Sequence, residues 1–455
     1  MRQSFIGPLS VEKFLKEFLP AKGVFPPSFS PGFQEVAKAT CETDMYEPFV
    51  RLLIPSRLRP SLTANPQVRT VNKLLKRFKA FNTSNTPSTE AEAEFRPDVT
   101  IYEKNAGSPK QTLTSFQRME MFIEFKHGSS VDPFVKEDRS QPKISNIASA
   151  IRGQLALYAT RQQAYQFRTS IISVGIFGKF AYFFRWDRSG CLVTAPIDYS
   201  TSKGNQQLTE FFLRLDRMAN DREGRGWDQT VVDPTAKEIE KFNAAIQAVC
   251  GGEHQPQPPI GRIRTRGQTQ AASCRGVADP MFSKLFESVG DHEKYPRKKV
   301  SVLHGGVTKT YLVGRPTSTP KSPTGRATRG FVAFCLETGK LVFLKDSWRP
   351  DVRCIKQEDH WYQRLQEKEG PGKAYIGSYS HGSDVYATRN FVKCRDMRQR
   401  TVTHRYAKTH KREEAIMGYI HYRVVQAEFY LPLEMFRDSK HLVSIMHDVA
   451  MGAFL

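Results

Sequence analysis

Cysteine is scarce in this chain. Seven are scattered over 455 residues, at Cys41, Cys191, Cys250, Cys274, Cys335, Cys354 and Cys394. None forms a Cys-x-x-Cys pair and the number is odd, which argues against a disulfide framework or a cysteine-held zinc and for free thiols in a reducing compartment. Long apolar runs are also missing. The N-terminal "MRQSFIGPLSVEKFLKEFLP" holds none suited to a signal peptide. The most apolar later stretch, "SIISVGIFGKFAYFFRW", is broken by Gly178 and Lys179 and is too short to span a bilayer. The expectation is an intracellular protein, cytoplasmic or nuclear, with no membrane partner. Acids are outnumbered as well: 46 Asp and Glu stand against 68 Lys and Arg, a formal net charge of +22. That surplus favours anionic partners such as nucleic acid or ATP without choosing between them.

What is present reads as a globular chain of two or three domains, 39% hydrophobic and 25% charged. Helical spacing of apolar residues in "EVAKATCETDMYEPFVRLLI" is followed by two strand-like runs, "RPDVTIY" and "MEMFIEFKHG". "ISNIASAIRGQLALYATRQQAYQ" reads as a long helix. "RTSIISVGIF", "KFAYFFRWD" and "CLVTAPIDY" read as an antiparallel meander turning at Phe177-Gly178-Lys179 and at Asp187 to Gly190. "LTEFFLRLDRMA" reads as a further helix. This order predicts an α/β domain over residues 1–245. Residues 246–295 change character: no acid lies between Glu253 and Asp279, and Pro, Gln, Gly and Arg dominate, as in a basic linker. Residues 296–455 predict a smaller antiparallel sheet with a helix at "KQEDHWYQRLQEK" and another at "SKHLVSIMHDVAMGAFL". The overall class is α+β / α/β. A basic cluster, "RDMRQRTVTHRYAKTHKR", reads as an exposed, solvated insertion between two strands.

Two constellations carry chemistry. In the first, Asp98 opens a strand, and Glu124 and Lys126, two apart on a later strand, share one face. Two carboxylates converging from adjacent strands suit Mg²⁺, and a neighbouring lysine can orient or activate an attacking water. The segment resembles the PD-(D/E)XK nuclease superfamily. Gln154 and Tyr158, four apart on one helix face, resemble the Gln-x-x-x-Tyr element of RecB-type members. Either Glu42 or Glu47 supplies the further acid expected from an early helix. The ordinary alternative is a turn-capping Asp98 beside an exposed Glu124–Lys126 pair.

In the second, "GRATRGFV" follows a kinase-type glycine-rich pattern at Gly325, Gly330 and Val332, with Ala327 where the middle glycine belongs. Such a loop lets backbone N–H groups approach nucleotide phosphates. Lys345 ends the next strand, where a phosphate-holding lysine belongs. Its partner is Glu358 on the following helix, with Glu367 the alternative. "RPDV", "FIEFKHG", "RGQLALYA", the meander, "GRATRG" and "LVFLKDSWRP" together resemble the fungal-type protein kinase family, from about Tyr46 onward. The runs Arg185 to Gly190 and Lys345 to Arg349 are the most specific parts. The resemblance implies an α/β region followed by a protein-kinase-like domain, ATP binding and phosphorylation of a protein substrate.

The sequence departs from that pattern in one respect. It contains no Asp-Phe-Gly and no His-Arg-Asp with its metal-binding Asn. "FRDSKHLV" fails because Val443 occupies the Asn position. Phosphoryl transfer is nearly all positioning and charge neutralisation, so Lys345 and the loop alone predict weak ATP binding without transfer. Three readings stand: a degenerate or incomplete kinase family member, a Mg²⁺-dependent nuclease at Asp98, Glu124 and Lys126, or a non-catalytic nucleotide-binding scaffold.

Overall fold

The computed structural model describes residues 4–21, 32–54, 74–85, 96–104, 114–128, 131–134, 145–251, 295–369, 377–388, 396–407, 416–428, 436 and 438–452. It contains two β-sheets with helices packed on them, a mixed α and β architecture.

The first unit opens with β1 (Phe5–Leu9), α1 (Val11–Phe18), a 3₁₀ turn (Phe33–Lys38) and α2 (Thr43–Leu53). It continues through β2 (Phe78–Asn82), β3 (Val99–Glu103), β4 (Met119–Lys126), α3 (Asn146–Tyr165), β5 (Ile171–Phe177), β6 (Phe180–Asp187), β7 (Gly190–Thr194), β8 (Ile197–Asp198) and α4 (Ser202–Arg217). The sheet order is β1-β7-β6-β5-β4-β3-β2, with β8 on β6. β4 and β5 run parallel, joined by α3, as a parallel pair requires. Both faces are covered. Met121, Ile123 and Phe125 of β4 face a core built with α1, α2 and α4, and Phe122 faces a second core built with α3. That double burial is why "MEMFIEFK" and "IISVGIF" read as continuous apolar runs and not as alternating ones.

The second sheet has the order β14-β15-β13-β12-β11-β10-β9 and is antiparallel throughout. Its elements are β9 (Val231–Val232), α5 (Ala236–Gly251), β10 (Lys298–His304), β11 (Val307–Val313), β12 (Arg329–Cys335), β13 (Leu341–Pro350), α6 (Glu358–Glu367), β14 (Tyr379–Asp384), α7 (Thr403–Ala407), β15 (Tyr419–Gln426) and α8 (Ser439–Gly452). The sheet thus begins upstream of the expected linker. β9 pairs with β10, and Phe242 and Ile246 of α5 pack on Leu312 and Phe334. Residues 252–294 of the expected linker lie outside the described residues.

β13 alternates cleanly. Val342 and Leu344 enter a core with Val300, Tyr311, Phe331, Ala333 and Val425, and Lys345 points to the opposite face. Among the described residues no helix is long and apolar enough to cross a membrane.

The two units are pinned by buried polar contacts, and both of the most specific sequence runs supply them. In the run Arg185 to Gly190, Asp187 accepts from the backbone N–H groups of Ser189, Val402 and Thr403 at 2.9, 2.7 and 3.0 Å. A Cβ at Gly190 would meet the Ser4 carbonyl at 2.4 Å, so nothing larger fits there. In the run Lys345 to Arg349, Asp346 accepts from Arg329 at 2.6 Å, His421 at 2.7 Å and Arg423 at 3.0 Å. Arg423 then reaches Asp228 at 2.5 Å, beside the first unit. Residues 396–407 of the basic cluster depart from the expected exposed, solvated form; the rest of it lies outside the described residues. Arg398 is half-buried and bonded to Asp384 and Asp396, and Arg400 to Asp351 and Asp396.

Candidate functional sites

The first site forms where β4 ends. Asp98, one residue before β3, accepts the Phe125 N–H at 2.8 Å through Oδ2. Glu124 is fully buried. Lys126 donates to Glu124 Oε1 at 2.7 Å and to the Phe125 carbonyl at 2.7 Å. Glu42, immediately before α2, reaches Lys126 Nζ at 3.3 Å and accepts from Tyr46 Oη at 3.0 Å. Glu47 is exposed and pairs with Arg51 one turn along α2, so the geometry selects Glu42 of the two early acids. Gln154 and Tyr158 of α3 bond each other at 2.8 Å, and Tyr158 Oη donates to the Arg96 carbonyl just before Asp98. All the expected members are therefore brought together, and Tyr46 joins them. Nothing in the sequence distinguished Tyr46 from an ordinary core tyrosine on an amphipathic helix.

Burial raises the Asp98 carboxyl above its ordinary range, against the Phe125 N–H and Lys126, which lower it. Burial and then the charge of Asp98 push Glu124 well up. Burial and mutual repulsion make joint ionisation of the two carboxyls unfavourable, and Lys126 offsets it in part. Glu124 Oε2 is buried and without a hydrogen-bond donor, which is an opening for a cation. Among the described residues no group of three His, Cys, Asp or Glu side chains is placed to hold a metal. A two-carboxylate site completed by water suits Mg²⁺ and does not suit zinc. Asp98 and Glu124 would hold the ion, which would supply Lewis acidity at a phosphate. Lys126, on the same carboxylate, is placed to orient a water or offset phosphate charge.

The second site lies on the face of the second sheet opposite its core. Lys345 Nζ donates to both Glu358 oxygens at 2.8 and 2.8 Å, with both side chains about a quarter exposed. Glu358 is the first residue of α6 and Glu367 the last, so the geometry selects Glu358. Gly330 sits directly across from Lys345, and Val332 across from Phe343. A Cβ at Gly330 would come within 2.7 Å of the Phe343 ring, so this glycine is demanded by packing.

Gly325 has φ 95° and Ala327 has φ 43°. Ala327 thus keeps the left-handed turn that a middle glycine would adopt freely, at a cost of about 1 kcal/mol. The loop is docked. Gly325 N–H donates to the Arg188 carbonyl of the first unit at 2.9 Å, and Trp348 N–H to the Arg326 carbonyl at 2.7 Å. Arg188 is buried, and burial and the nearby Arg329 charge lower its guanidinium to about 9. Its bonds to the Pro323 and Gln163 carbonyls are both 3.4 Å long. The contacts of Arg188 with Pro323 and Gly325 were not legible in the sequence, because they join segments well over a hundred residues apart.

No family model, curated protein or solved structure matches the chain.

Proposed function

We propose that the second unit is a protein-kinase-like nucleotide-binding lobe, as the resemblance to the fungal-type protein kinase family implies. The observation that carries this reading is the Lys345–Glu358 pair, a strand lysine held by the first glutamate of the following helix. It comes after a loop of kinase pattern whose left-handed residues are Gly325 and Ala327. In this arrangement Lys345 takes the α- and β-phosphates and Glu358 keeps its ammonium in place. The 455 residues hold no Asp-Phe-Gly and no His-Arg-Asp-type catalytic loop, so by themselves they are expected to bind nucleotide without transferring phosphate.

ATP at ten times its Kd stabilises the folded chain by about 1.4 kcal/mol, a rise of about 1.5 °C in Tm for a protein of this size. Lys345→Met is expected to abolish that rise while leaving the ligand-free Tm within about 1–2 °C, because a part-exposed pair contributes little to stability. A wild-type Tm that ignores ATP excludes nucleotide binding. Radiolabelled phosphate transfer that Lys345→Met abolishes excludes the loss of kinase chemistry.

A second reading is favoured by the orphaned Glu124 Oε2: the first unit is a Mg²⁺-dependent nuclease of PD-(D/E)XK type. Linear DNA incubated with the chain and Mg²⁺ is then cut, and Asp98→Asn reduces cutting by at least about 10²-fold, since it removes one of two ion ligands. A chain that cuts nothing and whose melting does not respond to Mg²⁺ rules this out.

A further inference from the structure

At the junction of the two units lies an open pocket of about 1020 Å³, walled by α1, the turn at 223–227 and the segment 396–406. Its apolar lining comes from Phe18, Ile172, Trp227, Met397, Val402 and Tyr406. Six cationic and four acidic side chains complete the wall. The four acids are already engaged by the protein itself. Glu12 accepts from Gln207 at 2.9 Å, Glu17 from Tyr406 Oη, Glu223 from Thr388 N–H at 2.8 Å, and Asp396 from Arg398 and Arg400. Of the cations, Arg185 is bonded to Asp187 at 2.9 Å and Arg398 and Arg400 to Asp396. Lys13 and Lys16 lie one turn apart on α1, exposed, and among the described residues neither has a carboxylate partner. Lys13 Nζ sits 5.0 Å from the centre of the Tyr406 ring, and the Arg185 guanidinium stacks 4.9 Å over Phe18.

We propose that this pocket binds an acidic peptide segment, its carboxylates on Lys13 and Lys16 and an apolar side chain on the Phe18–Tyr406 floor. Three observations favour a peptide. The volume is at the top of the range for small-ligand pockets. A free phosphate finds no open backbone N–H groups at the start of α7, because those of Val402 and Thr403 already bond Asp187. Glu12, Glu17 and Glu223 interrupt the cationic wall, which repels a continuous phosphate backbone yet suits a chain whose acids alternate with apolar residues. The inference is independent of the nucleotide and metal readings, because none of their residues lines the pocket.

The test is fluorescence anisotropy of a fluorescein-labelled Glu-Glu-Leu repeat peptide with the full chain. Saturable binding is expected that weakens as salt rises. The Lys13→Glu/Lys16→Glu double variant is expected to bind about tenfold more weakly, equivalent to about 1.4 kcal/mol. Lys38→Glu/Lys340→Glu has the same net charge, alters exposed lysines outside the pocket, and should bind like wild type. Circular dichroism melts confirm that both variants fold. Absence of saturable binding overturns the proposal. So does equal binding by the Lys13/Lys16 variant, equal loss in the control variant, or tighter binding of single-stranded RNA or inorganic polyphosphate at the same salt.

Discussion

Asp346→Asn is expected to destabilise the chain by about 3–5 kcal/mol, the effect of breaking a buried ion pair from one side. The substitution keeps the side-chain shape, so no cavity term enters. What it removes is the charge on which Arg329, His421 and Arg423 converge. Arg423 has no exposed surface and would keep only Asp228 as a counter-ion. Burial alone would raise the Asp346 carboxyl, but His421, Arg329 and Arg423 outweigh it and hold the group well below the usual carboxylate range. A carboxyl depressed on folding stabilises above its unfolded value and loses that contribution as pH falls through the folded one. The wild-type stability attributable to Asp346 should therefore be intact at neutral pH and fade below about pH 4. Urea unfolding of wild type and variant across pH 3 to 7 measures both effects. A loss under about 1 kcal/mol at neutral pH would mean that the network tolerates a neutral centre.

Lys345 and Asp346 are adjacent, yet strand alternation sends one to the nucleotide face and the other into the junction. The sequence made Lys345 conspicuous as the lysine expected to end an apolar strand, although β13 runs on to Pro350 through pairing with β15 and leaves Lys345 in mid-strand. It made Asp346 inconspicuous, because Lys-Asp on a strand reads as a solvated pair. The partners of Asp346 come from β12 and β15, and no local pattern announces a pairing that depends on sheet order. The run Arg185 to Gly190 behaves likewise: it stood out as text, and its work is to hold the 402–403 backbone and to seat the loop at Gly325.

Elements with strong local period were legible. α3, the β5–β6–β7 meander and the β12–β13 hairpin lie where apolar spacing and turn residues put them. β1 was not, because "FIGPL" is short and pairs in parallel with β7, nearly two hundred residues away. The membership of α5 in the second sheet was hidden for a related reason: helical spacing marks an apolar face without saying which sheet receives it. The acidic site was legible down to its residue types, since Asp98, Glu124 and Lys126 follow from strand periodicity. The choice of Glu42 over Glu47 needed the packing of α2 against β4.

Glu120 lies six residues before Lys126 on β4 and reads as an ordinary strand acid, yet it is the counter-ion of two buried arginines. Arg168 pairs with it at 2.7 Å and Arg225 at 2.5 Å, and Arg168 stacks 3.9 Å over Trp227. Burial opposes its ionisation, but the two guanidiniums prevail and bring the carboxyl down to about 2. A depression of that size from the ordinary value corresponds to about 3 kcal/mol of stability at neutral pH. Because the folded value is the lower one, that contribution is present above about pH 4.5 and lost as pH falls toward 2. Glu120→Gln is therefore expected to be about 3 kcal/mol less stable than wild type at pH 7. The two proteins should converge as pH is lowered, since protonation does to wild type what the substitution has already done. Urea midpoints at pH 7, 4 and 3 follow the convergence. A gap that stays constant over that range would assign the loss to packing and not to charge. Arg168 and Arg225 meet Glu120 from opposite ends of the β5-to-α4 segment, and Arg225 also pairs with Glu103 at 2.5 Å, so a convergent gap would assign to Glu120 the part of that closure that Glu103 does not hold.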